Sequence, residues 1–287
     1  MIPPATQLVR THTLTTAQLA ETEALRRVCN QAEGITLKLN LPSPWCSLPE
    51  CSFLCYAGDT LVGYFGIEGG PGSIEVCGMV APAWRQRGIG RLLLSAALEA
   101  ARSSGVQNTL LICEDASRSG QRLVTAAHYA LDFREHHMEA HAQRHKPARG
   151  MKLIVRLAEP ADINAIAAIT AAAFGDPVDR VRASLSVEMS DTQSAYYVGM
   201  VGRTPVSSLK VYFSAGRAGI YAFGVDPAQR RMGYGRETLL QVMNLAERRG
   251  HETCYLEVES ENAPAQALYT SVGFRTTTTY GYYRIPL

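Results

Sequence analysis

Apolar positions along this chain follow two periods, and the same succession of periods occurs twice. Near-continuous apolar runs of strand length cover residues 73–80 and 219–225. Each leads through a Pro-containing turn and a glycine pair into a stretch of helical period, 91–104 and 236–249. Gly105 and Gly250 close those helices as C-caps. Further strands are expected at 109–113 and 253–258. Upstream, 53–57 with 61–67 and 196–201 with 206–213 read as hairpins, their turns carrying Gly-Asp and Gly-Arg-Thr-Pro. Helices are predicted over 16–32 and 160–174, the second after a strand at 153–156 and opened by Glu159-Pro160-Ala161-Asp162.

The recurrence is an internal repeat at an offset of 145 residues. Pro82, Gly88 and Gly90 pair with Pro227, Gly233 and Gly235, and Gly105 pairs with Gly250. A chain of 287 residues is about twice the usual domain size. The reading is therefore α/β, with two domains, residues 1–145 and 151–287, each a mixed twisted β-sheet flanked by α-helices. The stretch 140–150 has no apolar periodicity and is read as the linker.

A Gly-x-Gly turn at a helix start leaves backbone N–H groups without intrahelical partners at the positive end of the helix dipole, which suits an anion. Arg85-Gln86-Arg87-Gly88-Ile89-Gly90-Arg91 and Arg230-Arg231-Met232-Gly233-Tyr234-Gly235-Arg236 both have this form, and their arginines add charge-assisted donors for phosphate oxygens. Neither is a Gly-x-Gly-x-x-Gly or a Gly-Lys-Ser/Thr motif, so dinucleotide and nucleoside-triphosphate folds lose support.

The string Phe223-Gly-Val-Asp-Pro-Ala-Gln-Arg-Arg-Met-Gly-Tyr-Gly-Arg236 resembles the acetyl-CoA motif of the GNAT acetyltransferase superfamily. Glu257-Val-Glu-Ser-Glu-Asn262 through Ala267-Leu-Tyr269 and Gly273-Phe274 is similar to that family's second cofactor motif. The N-terminal copy matches the first motif, from Gly78, Met79 and Val80 to Arg91, and the second poorly. The resemblance implies two GNAT-like domains in tandem, acetyl-CoA as cosubstrate and transfer of an acetyl group to a primary amine; a small-molecule acceptor is expected because the chain spends a second domain on shaping the cleft. In the C-terminal copy it implies that the backbone of Phe223, Gly224 and Val225 pairs with the pantetheine arm, that Arg231 to Arg236 cradle the pyrophosphate, with Arg230 beside them among the cofactor-binding residues, and that Asn262 hydrogen-bonds the cosubstrate. Amine attack on a thioester needs a neutral amine and a proton for the departing thiolate. Glu257 is placed as general base and Tyr269 as general acid, with Glu259 an alternative base and ring packing an alternative role for Tyr269.

In the N-terminal copy the offset puts Ile112 opposite Glu257. Counting back from Phe133 as if it matched Phe274 puts Gln121 opposite Asn262 and His128 opposite Tyr269, leaving Glu75 and Glu114 as acidic candidates. That copy is expected to bind phosphate without comparable chemistry. Two rival readings stay open: a non-catalytic acyl-CoA-binding or sensing protein, and an acyltransferase for a longer acyl donor.

Bulk properties narrow the partners. A formal net charge of +2 with scattered Lys and Arg gives no nucleic-acid or membrane-surface footprint. No apolar run is long enough for a membrane helix and the N-terminus lacks a signal-peptide layout, so a cytoplasmic protein, monomeric or homodimeric, is expected. Seven cysteines are read as reduced thiols; Cys46, Cys51 and Cys55 lack a paired CxxC, and the histidines at 128, 136, 137, 141 and 145 lack spaced acidic partners, so no metal is assigned.

Overall fold

The computed structural model describes residues 6–39, 46–70, 72–142, 145, 150, 152–189 and 194–286; most of the linker expected at 140–150 lies outside them. The chain forms two compact units. Unit 1 comprises Met1–Glu135 with Thr278–Leu287, and unit 2 comprises His136–Thr277.

In unit 1, β1 (Thr6–Thr11) leads into α1 (Thr16–Glu33), then β2 (Ser52–Ala57), β3 (Thr60–Gly70), β4 (Ser73–Val80), α2 (Ile89–Ser103), β5 (Asn108–Glu114), α3 (Arg118–Ala126) and the start of β6 (Ala130–His141). Thr15 and Gln18 form a capping box at the head of α1, and Gly34, left-handed at φ 68, ends it. β1 to β4 run antiparallel in sequence order, and β5 lies parallel to β4 across the α2 crossover. Leu93, Leu94, Ala97 and Ala101 of α2 are buried and join Phe53, Val62, Phe65, Ile74 and Val76 of the sheet in one core. A buried leucine such as Leu93 contributes roughly 1.5–3 kcal/mol by leaving water.

Unit 2 repeats the plan with β7 (Leu153–Leu157), α4 (Ile163–Phe174), α5 (Val178–Glu188), β8 (Ser194–Val201), β9 (Thr204–Ser214), β10 (Arg217–Val225), α6 (Tyr234–Arg248), β11 (Thr253–Glu259), α7 (Ala263–Ser271) and the start of β12 (Arg275–Ile285). A single 3₁₀ turn, Pro160–Asp162, precedes α4 where the sequence suggested continuous helix. α5 had no sequence signal, because its apolar positions are sparse and only Leu185 is buried.

Three features depart from the sequence reading. First, the domain expected at 151–287 does not keep its last strand: Thr278–Leu287 belongs to unit 1, where Tyr280 to Ile285 pair antiparallel with Glu114 to Thr109. The physical reason is burial on both faces. Tyr280 and Tyr282 enter a core with Tyr64 and Ile112, while Tyr283 and Ile285 enter the other with Leu111 and Val106. Residues 136–141 of β6 correspondingly lie beside β11 in unit 2, with Met138 and Ala140 in its core. Second, Cys46 and Cys51 form a disulfide instead of two thiols, while the other five cysteines are buried thiols. Third, the helix α3 ends four residues earlier than counting back from Phe133 required, so the repeat keeps its offset of 145 to its end, with Phe274 matching Tyr129. Among the described residues, no helix is long and apolar enough to cross a membrane and no group of three His, Cys, Asp or Glu is placed to hold a metal.

Candidate active site

Each unit contains a parallel strand pair that separates part-way. In unit 2, β10 and β11 pair only from Arg217–Thr253 to Gly219–Tyr255; in unit 1, β4 and β5 pair only from Ser73–Asn108 to Val76–Leu111. Beyond those points β10 carries Phe223, Gly224 and Val225, and β4 carries Gly78, Met79 and Val80. Successive amides along a strand face opposite sides. Asp226 N–H bonds Val206 O of β9 at 2.9 Å, so the Val225 amide faces the opening. Ala81 N–H bonds Val62 O at 2.8 Å, which directs the Val80 amide likewise.

The glycine turns close the separated ends. Gln86 and Gly88, and Arg231 and Gly233, hold φ of 61, 84, 62 and 84, an alternation that turns successive N–H groups inward; α2 and α6 then start without side-chain caps. Ile89 is buried, while Gln86, Arg87, Arg91, Arg231, Met232 and Arg236 are exposed around the turns. Arg85 and Arg230 instead brace the turn, their Nε atoms donating to Val80 O at 3.0 Å and Val225 O at 3.2 Å. Gly235 has no room for a side chain at ease: a Cβ there would meet Leu268 and Val225 at 3.2 Å. A concave run of uncapped amides ringed by arginines fits a pyrophosphate, and the strand edge beside it fits an extended amide chain.

One asymmetry was not anticipated. Thr204 follows Thr60 by 144 residues but Tyr234 follows Ile89 by 145, and the extra residue sits in β10, which has nine residues against eight in β4. It forms a β-bulge: the register against β9 shifts between Tyr221 and Gly224, and Ala222 holds φ 48. β4 keeps unbroken register with β3. The signal was present in the turn glycines Gly58 and Gly202, which are 144 apart whereas Pro82 and Pro227 are 145 apart.

The acid and base candidates lie on opposite faces of the sheet. On β11, Leu256 and Val258 face the core that contains Tyr269, so Glu257 between them projects from the other face of the sheet. Its side chain is 23% exposed and stands 3.6 Å from His137 Nδ1. Tyr269, on α7, packs against Phe223 and Phe274 with ring centroids 6.4 and 6.1 Å away. Burial, with no hydrogen bond to its hydroxyl among the described residues, pushes this phenol up to about 12. Asn262 is the N-cap of α7, its Oδ1 accepting from Ala265 N at 3.2 Å, which leaves its amide nitrogen for a ligand. Glu259 is exposed.

In unit 1 the equivalent places hold different groups. The N-cap of α3 is Ser117, which lies 145 residues before Asn262, and Val124 lies 145 before Tyr269. This corrects the alignment of Gln121 with Asn262 and His128 with Tyr269; His128 instead sits at φ 55, matching Gly273 at φ 100. Val124 is buried in the core. Glu114 is also buried; desolvation raises its carboxyl, opposed by a 2.6 Å hydrogen bond from Thr36 N–H. Glu75 lies on β4 within the paired segment. A cavity of about 60 Å³ lies between β4 and β5, lined by Cys29, Phe65, Met79, Arg85, Ile112 and Glu114 among others.

A parallel strand pair that opens onto an uncapped glycine turn, present twice in one chain, defines a tandem acetyltransferase. The model of the family described as "Acetyltransferase (GNAT) family" matches residues 19–129 and again 164–274, and the chain belongs to that family. It is 31% identical over 222 residues to the mycothiol acetyltransferase of Clavibacter michiganensis subsp. michiganensis, covering 72% of this chain and 70% of that one. It is 43% identical over 61 residues to the [ribosomal protein bS18]-alanine N-acetyltransferase of Escherichia coli K12, covering 21% of this chain and 41% of that one. Its fold matches a GCN5-related N-acetyltransferase from Sphaerobacter thermophilus with a TM-score of 0.82 at 21% identity, over 99% of this chain and 96% of that one. A tandem GNAT protein from the clavulanic acid biosynthesis pathway matches with a TM-score of 0.73 at 15% identity, over 98% of both chains.

Proposed function

We propose that unit 2 transfers an acetyl group from acetyl-CoA to the primary amine of a small molecule, and that unit 1 contributes no equivalent chemistry. The observation that carries this reading is that β11 carries Glu257 just past its last pairing with β10 while Tyr269 packs on Phe223 from the other face of the sheet, where unit 1 has Ile112 and Val124. Acetyl-CoA, when bound, supplies the activated acyl carbon. The backbone of Phe223 to Val225 holds the pantetheine arm as an added strand, the Val225 amide polarises the thioester carbonyl, residues 231–236 hold the pyrophosphate, and Asn262 orients the arm. Glu257 removes a proton from the incoming ammonium. Tyr269, kept neutral by its burial, donates to the departing sulfur. The β-bulge at Tyr221/Gly224 supports this division, since it re-aims Phe223 and Gly224 beside the opening in unit 2 alone.

The small-molecule acceptor is favoured by the extent of the likeness. The match to the mycothiol acetyltransferase covers 72% of the chain, whereas that to the ribosomal-protein enzyme is confined to 61 residues. The test follows thiol release from acetyl-CoA across a panel of amino sugars, aminoglycosides, amino acids and alanyl peptides. Turnover on a small amine, lost in Glu257→Gln, supports the reading. Turnover confined to peptides, or CoA binding with no turnover on any amine, rejects it.

A further inference from the structure

The mechanism above leaves one group beside Glu257 without a role. His137 is encoded in the first half of the chain, yet β6 carries it into unit 2, next to β11. Its side chain is 16% exposed, its ring stacks on Tyr255 at 5.4 Å, and its two nitrogens face two carboxylates: Nδ1 stands 3.6 Å from Glu257 Oε1, and Nε2 stands 3.2 Å from Glu139 Oε1. Glu139 is itself held by Arg217, whose guanidinium lies over the Tyr255 ring at 4.8 Å. Tyr221 closes the cluster, donating to the Tyr255 hydroxyl at 3.1 Å. Among the described residues, Glu257 and Tyr255 of β11 and Glu139 of β6 face the imidazole, with Arg217 and Tyr221 of β10 around them.

We infer that His137 is a positioning and proton-relay residue for Glu257, oriented by Glu139, and that the site of unit 2 is thus completed by a strand from the other half of the sequence. The inference rests on the reading of Glu257 as base. Its chemical motive is proton balance. An acceptor arriving as ammonium loses two protons from nitrogen in becoming a secondary amide. One of these ends on the CoA sulfur, and the other must reach solvent. A lone carboxylate that has taken the first proton cannot take the second.

The geometry removes that limit. With Nε2–H donating to Glu139, Nδ1 is the unprotonated nitrogen and stands 3.6 Å from Glu257 Oε1, a gap that closes to hydrogen-bond distance for a proton to pass. The proton that Glu257 takes from the ammonium moves to Nδ1, the imidazolium is held between two carboxylates, and Glu257 returns to the ionised form to take the second proton. That proton leaves by the same route, while a proton from solvent restores the one that Tyr269 gives the sulfur. From the imidazolium the proton leaves to solvent. No bond other than N–H and O–H is made or broken in the relay.

The test uses the full chain. Imidazole nitrogen NMR at neutral pH should report the Nε2–H tautomer for His137 in wild type and loss of that preference in Glu139→Gln. On the fastest amine of the panel, His137→Phe, which keeps the ring stack, should lower kcat about 10-fold or more, leave the Kd for CoA unchanged and remove one ionisation from the acid limb of the kcat profile. Glu139→Gln should lower kcat by a smaller factor with KM unchanged. Should His137→Phe fail to fold, His137→Asn takes its place in the same measurements. An Nδ1–H tautomer in wild type overturns the proposal, as does wild-type kcat and pH profile in the His137 variant while Glu257→Gln is inactive. Wild-type kcat in Glu257→Gln overturns the base assignment beneath it instead.

Discussion

The Glu33 carboxylate, at the end of α1, accepts a hydrogen bond from the Arg85 guanidinium on the glycine turn of unit 1. The same carboxylate accepts from Ser117 Oγ at 2.9 Å and Ser119 N–H at 3.3 Å, so it ties the phosphate turn to the N-terminus of α3. Its counterpart one residue before the C-cap of α4 is Phe174, 57% exposed, and Arg230 has no carboxylate partner among the described residues. Unit 1 is thus latched where unit 2 is open. Burial by itself would raise the Glu33 carboxyl, but hydrogen bonds from Ser119 and Ser117 and the charge of Arg85 outweigh it and hold the group below the ordinary carboxylate range.

This latch has a pH signature. Because the folded state lowers the proton affinity of Glu33, its contribution is full above the ordinary glutamate range and is lost as pH falls from that range through the lower value of the folded state. Glu33→Gln is expected to destabilise unit 1 by about 2 kcal/mol at neutral pH. Urea denaturation at neutral and acid pH should show the difference from wild type shrinking on acidification; a constant difference would remove the charge from the explanation.

Gly233→Val tests the phosphate turn of unit 2. A β-branched residue at φ 84 is strained and places methyl groups where the backbone must approach a phosphate. Calorimetric titration should show loss of CoA binding to unit 2, and turnover should vanish. Gly88→Val, at the same φ in unit 1, should leave turnover within about 2-fold. Loss of turnover only in the Gly88 variant would reverse the roles of the units.

Tyr269→Phe separates acid catalysis from packing. The ring contacts with Phe223 and Phe274 survive the change, so CoA affinity and thermal midpoint should hold while kcat falls about 100-fold. A Phe variant with full turnover would assign Tyr269 to the core alone.

Deletion of Ala222 converts β10 to the length of β4. The chain should still fold, since β4 shows that the unbulged strand is compatible with the same sheet. Turnover should drop by at least about 100-fold as Phe223 and Gly224 lose their aim at the opening. Retained activity would make the bulge irrelevant to the site.

The Cys46–Cys51 bridge closes a loop with a sequence separation of 5, for which chain entropy predicts stabilisation of about 2 kcal/mol. Cys46→Ser and chemical reduction should lower the denaturation midpoint of unit 1 by the same amount. An unchanged midpoint after reduction would show that the loop is held by its other contacts, such as Ser47 N–H to Gly69 O at 3.0 Å.

The sequence by itself determined the repeat, the hairpins, the strand-turn-helix units and both glycine turns, because each is set by local signals: apolar period, turn glycines and the caps Gly105 and Gly250. It also singled out Glu257, Tyr269 and Asn262, whose spacing along one strand and helix is a local matter. Only the tertiary structure decided where the last strands belong, since Tyr280 to Ile285 would satisfy any sheet with two apolar faces and the choice rests on the particular cores they fill. It likewise corrected Gln121 and His128 to Ser117 and Val124, because helix caps and not the next phenylalanine set the register. The Glu33 latch and the approach of His137 to Glu257 join residues 52 and 120 positions apart in the sequence, and no periodicity reports a contact that the chain reaches only by folding back.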